Sequence, residues 1–568
     1  MEQAAWFRSY DEGVPKTLRP YPERTLLDYI ADTAREHPDL PALLFKGMRV
    51  SYGELDRITD AFAVSLAEQG VKKGDRVALL LPNCPQFIIA ELGAWKAGTT
   101  VCPLNPIYTE RELEEPLVNL GPETMVTLTP FYNRIKKIQP NTKLKRVIAT
   151  NIKEFLPPLL RFLFTLAKEK KEGHRIHLQP GDLWFSDLLK TKESMKKPSV
   201  SVGLDDPAVI LLSGGTTGTP KGAVGTHGCL VSSGLQLNAW VKNIKSASQD
   251  VVMLPLPLFH VYANAGIQCD SFVGGHALSL VPNPRDIKDI IHTIRKERPT
   301  FFISVPTLFI ALLNHPDVKA GKVDFKSIKL CISGAAPLMA ETKKSFEELT
   351  GGRILEGYSL TEAMMACTVN PALGVRKIGS IGLPLPDVEV RIADPEFGDK
   401  ILPSGEVGEV LMRAPQLMQG YWQNPVETAG VLQVHGEGGL WLHTGDLGYM
   451  DEDGYVFIVD RKKDVIKPSG FQVWPREVEE VVSSYPAVLE VGVAGISDDY
   501  QGEAVKAWVV LRPGQQTTAD EIRQYCRQKL APYKVPKHVE FRESLPKSMV
   551  GKVLRRVLAQ EERMKRTS

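Results

Sequence analysis

Cysteines are few and unpaired by spacing: seven are scattered over 568 residues, and no two form a C-x-x-C motif. An odd, dispersed set reads as reduced thiols in a cytosolic protein and excludes a disulfide framework. Long hydrophobic runs are missing too, since nothing approaches the roughly 20 apolar residues of a membrane span. The amino-terminal MEQAAWFRSYDEG lacks the basic-then-apolar order of a signal peptide. Neither charge sign dominates: Lys+Arg 69 against Asp+Glu 67 gives +2, so no global charge points to nucleic acid. Internal repeats and low-complexity linkers are absent. The expectation from these absences is a soluble, cytoplasmic enzyme.

What is present is an ordinary globular balance, 43% hydrophobic and 24% charged. The length suggests about four structural units. Residues 24–70 read as helix, turn and helix. A strand at 77–83, a helix at 84–98 and a strand at 101–105 follow, and strand-length apolar runs recur at 251–257, 301–306 and 330–334. Such runs alternating with helix-period segments predict parallel sheets in α/β layers. From about 385 the texture changes to short strands with close turns, the pattern of a small β-barrel-like part. After Asp460-Arg-Lys-Lys-Asp464 a helix-rich α+β segment begins. The predicted division is a large domain over 1–462 and a small domain over 463–568.

One segment is unusual in charge. Between Arg134 and Arg175 there are twelve Lys/Arg and three Glu, a local balance of +9. Within it, EFLPPLLRFLFTLAKEKKEG (154–173) is an apolar stretch ending in a basic cluster. It is too short to span a bilayer. Two readings stand: a helix packed on the core with a solvated basic end, or one lying in an anionic membrane interface.

The sharpest local signal is Ala208-Val-Ile-Leu-Leu-Ser-Gly-Gly-Thr-Thr-Gly-Thr-Pro-Lys-Gly222, a buried strand entering a loop of Gly, Thr and one Lys. Its backbone N–H groups, hydroxyls and ammonium can face a polyphosphate. It is not a Walker A loop, because Lys221 precedes Gly222 instead of following Gly and preceding Ser/Thr.

This loop resembles the signature of the AMP-forming adenylate synthetases. The resemblance continues in order with Glu356-Gly-Tyr-Ser-Leu-Thr-Glu362, Leu442-His-Thr-Gly-Asp446, Asp460-Arg-Lys-Lys-Asp464, Ile466-Lys-Pro-Ser-Gly-Phe-Gln472 and Pro546-Lys-Ser-Met-Val-Gly-Lys552. It implies an acyl-CoA synthetase that uses ATP, Mg²⁺ and CoA, with homodimers known among relatives. It also implies roles residue by residue. Ser213, Gly214, Gly215, Thr216, Thr217, Gly218 and Lys221 would cradle phosphates, while Glu362, helped by Ser213, would hold Mg²⁺. Thr361 would bond the α-phosphate, and Tyr358 would lie against adenine beside Glu356, Gly357 and Ser359. Gly334, Ala335, Ala336 and Pro337 would border adenine and the acyl group. Asp446 would accept the ribose hydroxyls, with Arg461 on ribose or phosphate. Lys552 would be the principal catalytic residue of adenylation, its ammonium bridging carboxylate and α-phosphate. Lys463 would be the hinge of a mobile small domain; Gly470 would reach the thioester site, and Lys467 would contact pyrophosphate or the thioester site.

Leu256-Pro-Leu-Phe-His260-Val-Tyr262 resembles the acyl-entry motif, with His260 and Val261 at the carboxylate. Amino-acid-activating relatives usually carry an Asp at the start of this region to hold the amine; Phe259-His260-Val261 offers no such anion, and the resemblance therefore weighs against amino-acid substrates. Gly214 in the loop, the stretch from Gly274 to Pro316 and the insert at 154–173 resemble long-chain fatty acyl-CoA synthetases. The competing expectations are the same mechanism on medium-chain or aryl acids, and a nucleotide- or lipid-binding protein without turnover.

Overall fold

Two mostly parallel sheets carry the large domain. In a computed structural model, all residues are described except 1–3, 191–198, 214–219, 247, 366, 397, 399, 436–438, 499, 549–550 and 568. The eight-stranded sheet runs, in spatial order, 420–421, 221–226, 207–213, 100–103, 76–80, 124–128, 146–150 and 183–184. The nine-stranded sheet runs 383–384, 368–369, 353–358, 330–333, 301–304, 251–254, 277–280, 41–45 and 48–51. Each has a parallel interior with antiparallel strands at an edge. Apolar strands buried on both faces call for helices on both sides. The helix Pro85–Lys96 shows the consequence, being buried along all but its last residue.

The segment 24–70 departs from the helix–turn–helix expectation. Between helices Leu26–Glu36 and Tyr52–Glu68 lies a hairpin of strands Pro41–Phe45 and Met48–Ser51. Its turn residues Lys46 and Gly47 have φ of 52° and 87°, the doubly positive geometry of a tight hairpin. This hairpin extends the nine-stranded sheet by pairing parallel with Ala277–Leu280.

The expected barrel-like part is a five-stranded antiparallel sheet built from 389–393, 408–413, 432–434, 440–450 and 456–461. No pairing closes it into a barrel among the described strands. The smaller α+β domain that follows has strands Val488–Asp498, Gly502–Leu511 and His538–Phe541 with helices Pro475–Ser483, Ala519–Arg527 and Arg555–Thr567. Its core runs from Ile466 to Leu558 and is distinct from the core of the large domain. All seven cysteines are buried and free; burial pushes Cys84, Cys102 and Cys367 up to about 12, leaving inert thiols.

Candidate active site

Parallel strands deliver their residues at their carboxyl ends, the usual place for a ligand in such sheets. Ser213 ends strand Pro207–Ser213, Ser333 ends Leu330–Ser333, and Glu356, Gly357 and Tyr358 end Arg353–Tyr358. The two sheets are tied at this edge by Asn83. Its amide donates to the carbonyls of Leu254 (3.1 Å) and Leu256 (2.6 Å), and its side-chain oxygen accepts from Leu258 N (2.9 Å). Asn83 therefore fixes the loop that presents His260.

Around Asp446 the expected nucleotide residues converge. The side chain is buried, with one oxygen accepting from Tyr358 and the other 3.1 Å from Arg461 Nε. Asp446 and Arg461 face each other across adjacent strands, which sets their separation. Thr444 Oγ1 accepts from Asp446 N (3.1 Å). Burial, and then the charge of Asp446, hold the Tyr358 phenol well above its ordinary pKa, so it stays a donor. Each carboxylate oxygen keeps a second lone pair after these bonds, leaving room for two hydroxyl donors.

A second cluster forms around Tyr421, which the sequence reading missed. Tyr421 OH donates to Glu362 Oε1 at 2.7 Å, and the Ser213 hydroxyl lies near the same phenol. Ser213 and Glu362 are thus brought together through one phenol. Lys221 lies 5.3 Å over the Tyr421 ring and pairs with Glu427 at 2.6 Å. Thr361 and Glu362 sit on the short 3-10 turn Thr361–Ala363 directly after Ser359 and Leu360. Gly214, Gly215, Thr216, Thr217 and Gly218 lie outside the described residues.

On the acyl side, Val261 is buried and His260 Nδ1 accepts from Tyr262 N (3.3 Å). Desolvation draws the His260 pKa down to about 4, so its ring is neutral at pH 7. The next seven residues, Tyr262–Gln268, form a π-helix, a form often found at functional sites. A Cβ on Gly334 would come within 2.9 Å of the Tyr262 ring, so only glycine lets the 334–337 stretch lie that close. Ala335 there has φ of 66°, a left-handed backbone unusual for a non-glycine; Ala336 and Pro337 continue the same loop. Ser333 Oγ is buried with no partner among the described residues. Glu356 is engaged by Lys343 Nζ at 3.1 Å.

From the small domain, Lys552 closes a turn in which Ser548 N donates to Lys552 O (2.8 Å) and Lys552 N to Ser548 Oγ (3.2 Å). Lys552 is exposed. Desolvation by the surrounding protein, followed by the charge of Arg461, lowers its pKa to about 8, with Asp446 and Asp464 opposing. Lys552 therefore sits within electrostatic reach of the Asp446–Arg461 pair. Gly551, at φ of 76°, presses against the large domain: a Cβ there would lie 2.3 Å from Thr307 Oγ1. Burial and Arg461 also lower Lys463.

Lys467 and Gly470 lie apart from these clusters. Lys467 N donates to Glu503 (2.7 Å), and Gly470 flanks Phe471, which stacks on Tyr533 at 4.8 Å. The sequence reading also missed Arg555, which joins Asp460 (2.7 Å) to Glu479 and so anchors the chain just after Lys552.

Residues 30–422 match the family described as AMP-binding enzyme, and 477–552 match the AMP-binding enzyme C-terminal domain. A long-chain-fatty-acid–CoA ligase of Bacillus subtilis is 39% identical over 99% of this chain and 98% of its own. The crystal structure of the anthranilate CoA ligase AuaEII with anthranoyl-AMP superposes with a TM-score of 0.84 at 25% identity, covering 96% of this chain and 99% of that one. ATP-bound MatB from Rhodopseudomonas palustris superposes at 0.80 with 29% identity, covering 95% and 99%.

Proposed function

The chain belongs to the AMP-forming acyl-CoA ligases of the adenylate-forming superfamily, which activate a carboxylic acid with ATP for transfer to CoA, and on that premise we propose that its acid is a long-chain fatty acid. The full-length 39% identity to a long-chain ligase supports that substrate, against 25% to an anthranilate ligase. The observation that carries the chemistry is the Lys552 ammonium held near Asp446 and Arg461.

In the first half-reaction a carboxylate oxygen attacks the α-phosphorus and pyrophosphate leaves. Two anions must approach each other, so the residues' task is to hold and neutralise them. Asp446 anchors the ribose hydroxyls, with Tyr358 and Arg461 fixing its rotamer. Lys552 bridges the carboxylate and the α-phosphate, and Thr361 donates to the same phosphate. His260, being neutral, orients the acid without forming a competing ion pair. Glu362 with Ser213 offers hard oxygen ligands that fit Mg²⁺ bound mainly through phosphates. Among the described residues no cluster of three or more His, Cys, Asp or Glu offers an alternative. When bound, the ion supplies charge neutralisation to the phosphates.

In the second half-reaction the CoA sulfur attacks the acyl carbonyl, AMP leaves and the thiol proton is released. Lys552 has no part in that step. Rotation of the small domain about Lys463 would withdraw it and bring Lys467 and Gly470 forward.

Pyrophosphate release with Mg-ATP, measured across fatty acids of increasing length and benzoate-type acids with and without CoA, tests the substrate. The highest CoA-dependent kcat/KM is expected with long-chain acids. A maximum with aryl or medium-chain acids would overturn the long-chain assignment.

A further inference from the structure

The helix Pro158–Ala167 is turned inside out. Leu159, Phe162, Leu163 and Leu166 recur at i, i+3, i+4 and i+7, a spacing that normally buries an apolar stripe. Here they are 69%, 60%, 49% and 69% exposed, Leu160 beside them is 42% exposed, and no residue of the helix is buried.

The helix is nevertheless firmly seated. Arg161 donates to the carbonyls of Lys153 (3.1 Å) and Glu154 (2.7 Å). Phe164, on the inner side, meets His174 edge-on at 5.1 Å. Beneath it, buried Glu169 pairs with Lys153 and accepts from Asn151 (3.2 Å). A polar network thus holds the apolar stripe outward.

The charges that accompany the stripe are nearly all positive. Arg161, Lys168, Lys170, Lys171 and Arg175 are exposed, and the one exposed acid in 153–175 is Glu172. Lys170 and Lys171 have no ion-pair partner among the described residues. Cations after a helix carboxyl end complement its dipole, which accounts for the lysines but not for five outward-facing large apolar side chains. A second copy of the chain would bring two such basic surfaces together. An anionic lipid surface satisfies both features at once, with an apolar layer for the stripe and phosphates for the cations. At 1.5 Å per residue the helix is about 15 Å long, suited to lying in the interface and too short to cross it.

We propose that helix Pro158–Ala167 and the basic run after it dock the enzyme in the plane of an anionic phospholipid bilayer. The docking itself does not depend on which acid the active site takes.

The full-length protein is to be floated with vesicles of phosphatidylcholine alone and of phosphatidylcholine with phosphatidylglycerol. Phe162→Ser/Leu166→Ser and Lys170→Glu/Lys171→Glu are compared with the wild type; these side chains are exposed, so fold and turnover of a water-soluble acid should be unchanged. Wild type is expected to bind the anionic vesicles at least about tenfold better, with salt weakening the contact. The serine pair should lower binding about tenfold or more, and the glutamate pair should remove the preference for phosphatidylglycerol. Absence of wild-type binding to anionic vesicles, or unchanged binding by the serine pair, would overturn the proposal. So would a lipid-independent dimer that the serine pair dissolves, because the face would then belong to a second copy.

Discussion

Asp446 shares its two oxygens between a phenol and a guanidinium, so the carboxylate we propose as the ribose anchor is already oriented before nucleotide arrives. Asp446→Asn would remove the charge that strengthens its bonds to hydroxyls, and KM for ATP is expected to rise about tenfold or more, in line with roughly 1.5–3 kcal/mol for a charged hydrogen bond. An unchanged KM would contradict the ribose role. Tyr421 holds Glu362, the proposed Mg²⁺ ligand, from behind, and loss of such an outer partner typically costs about 10–100-fold in metal affinity. Tyr421→Phe should therefore shift the Mg²⁺ dependence of pyrophosphate release to higher concentration, whereas a superimposable titration would detach Tyr421 from the metal. For Lys552 the pKa is lowered to about 8, so its cation is lost as pH rises through that value. kcat/KM reports groups of the free enzyme; for adenylation it should fall above about pH 8, and Lys552→Arg should abolish that fall. Ser213, Glu362, Asp446, Arg461 and Lys552 were legible because their spacing in the chain follows a shared motif order. Tyr421 and Arg555 were not, since a lone Tyr or Arg carries no sign of what it touches 59 or 95 residues away.

At the level of elements, the π-helix Tyr262–Gln268 is clasped from behind by Glu91, a wholly buried carboxyl on helix Pro85–Lys96. Asn264 and Gln268 donate to it at 2.7 and 2.6 Å. Burial outweighs these two bonds and raises its pKa to about 7 from an ordinary 4.5. The native state therefore binds a proton that the unfolded chain has lost, and stability falls as pH rises from about 4.5 through about 7. Thermal melts over that range should show the slope, and Glu91→Gln should flatten it; an equal slope in the variant would assign it elsewhere. Neither feature could be read from sequence, because a π-turn breaks the 3.6-residue period on which helix recognition depends. The hairpin at 41–51 was hidden for a related reason: four- and five-residue strands between two longer helices are too short for a period to assert itself. The insert at 154–173 was legible as an apolar stretch ending in a basic cluster. Which way its stripe faces is decided by the Asn151–Glu169–Lys153 network, a tertiary fact.

Across the whole molecule, one hydrophobic core ends with Ile458 and the next begins at Ile466. The link between them is polar, with Arg555 spanning Asp460 and Glu479, so parting the two units there returns charged groups to water. Against this, Gly551 seats the Lys552 turn on Thr307 of the large domain. Gly551→Ala would introduce a Cβ at 2.3 Å from a hydroxyl, on a left-handed backbone. It should therefore slow adenylation while sparing thioester formation. Equal loss of both steps would indicate general misfolding instead.

The most direct test separates the two half-reactions in Lys552→Ala. Adenylate formation from hexadecanoic acid and Mg-ATP is followed in single turnover, and preformed hexadecanoyl-AMP is then supplied with CoA. The account predicts a loss of at least about 10²-fold in the first step, the scale of losing a preorganised charge at a developing anion. The second step should run near the wild-type rate. Adenylate formation at the wild-type rate would contradict the role of Lys552 and, with it, the assignment of the site.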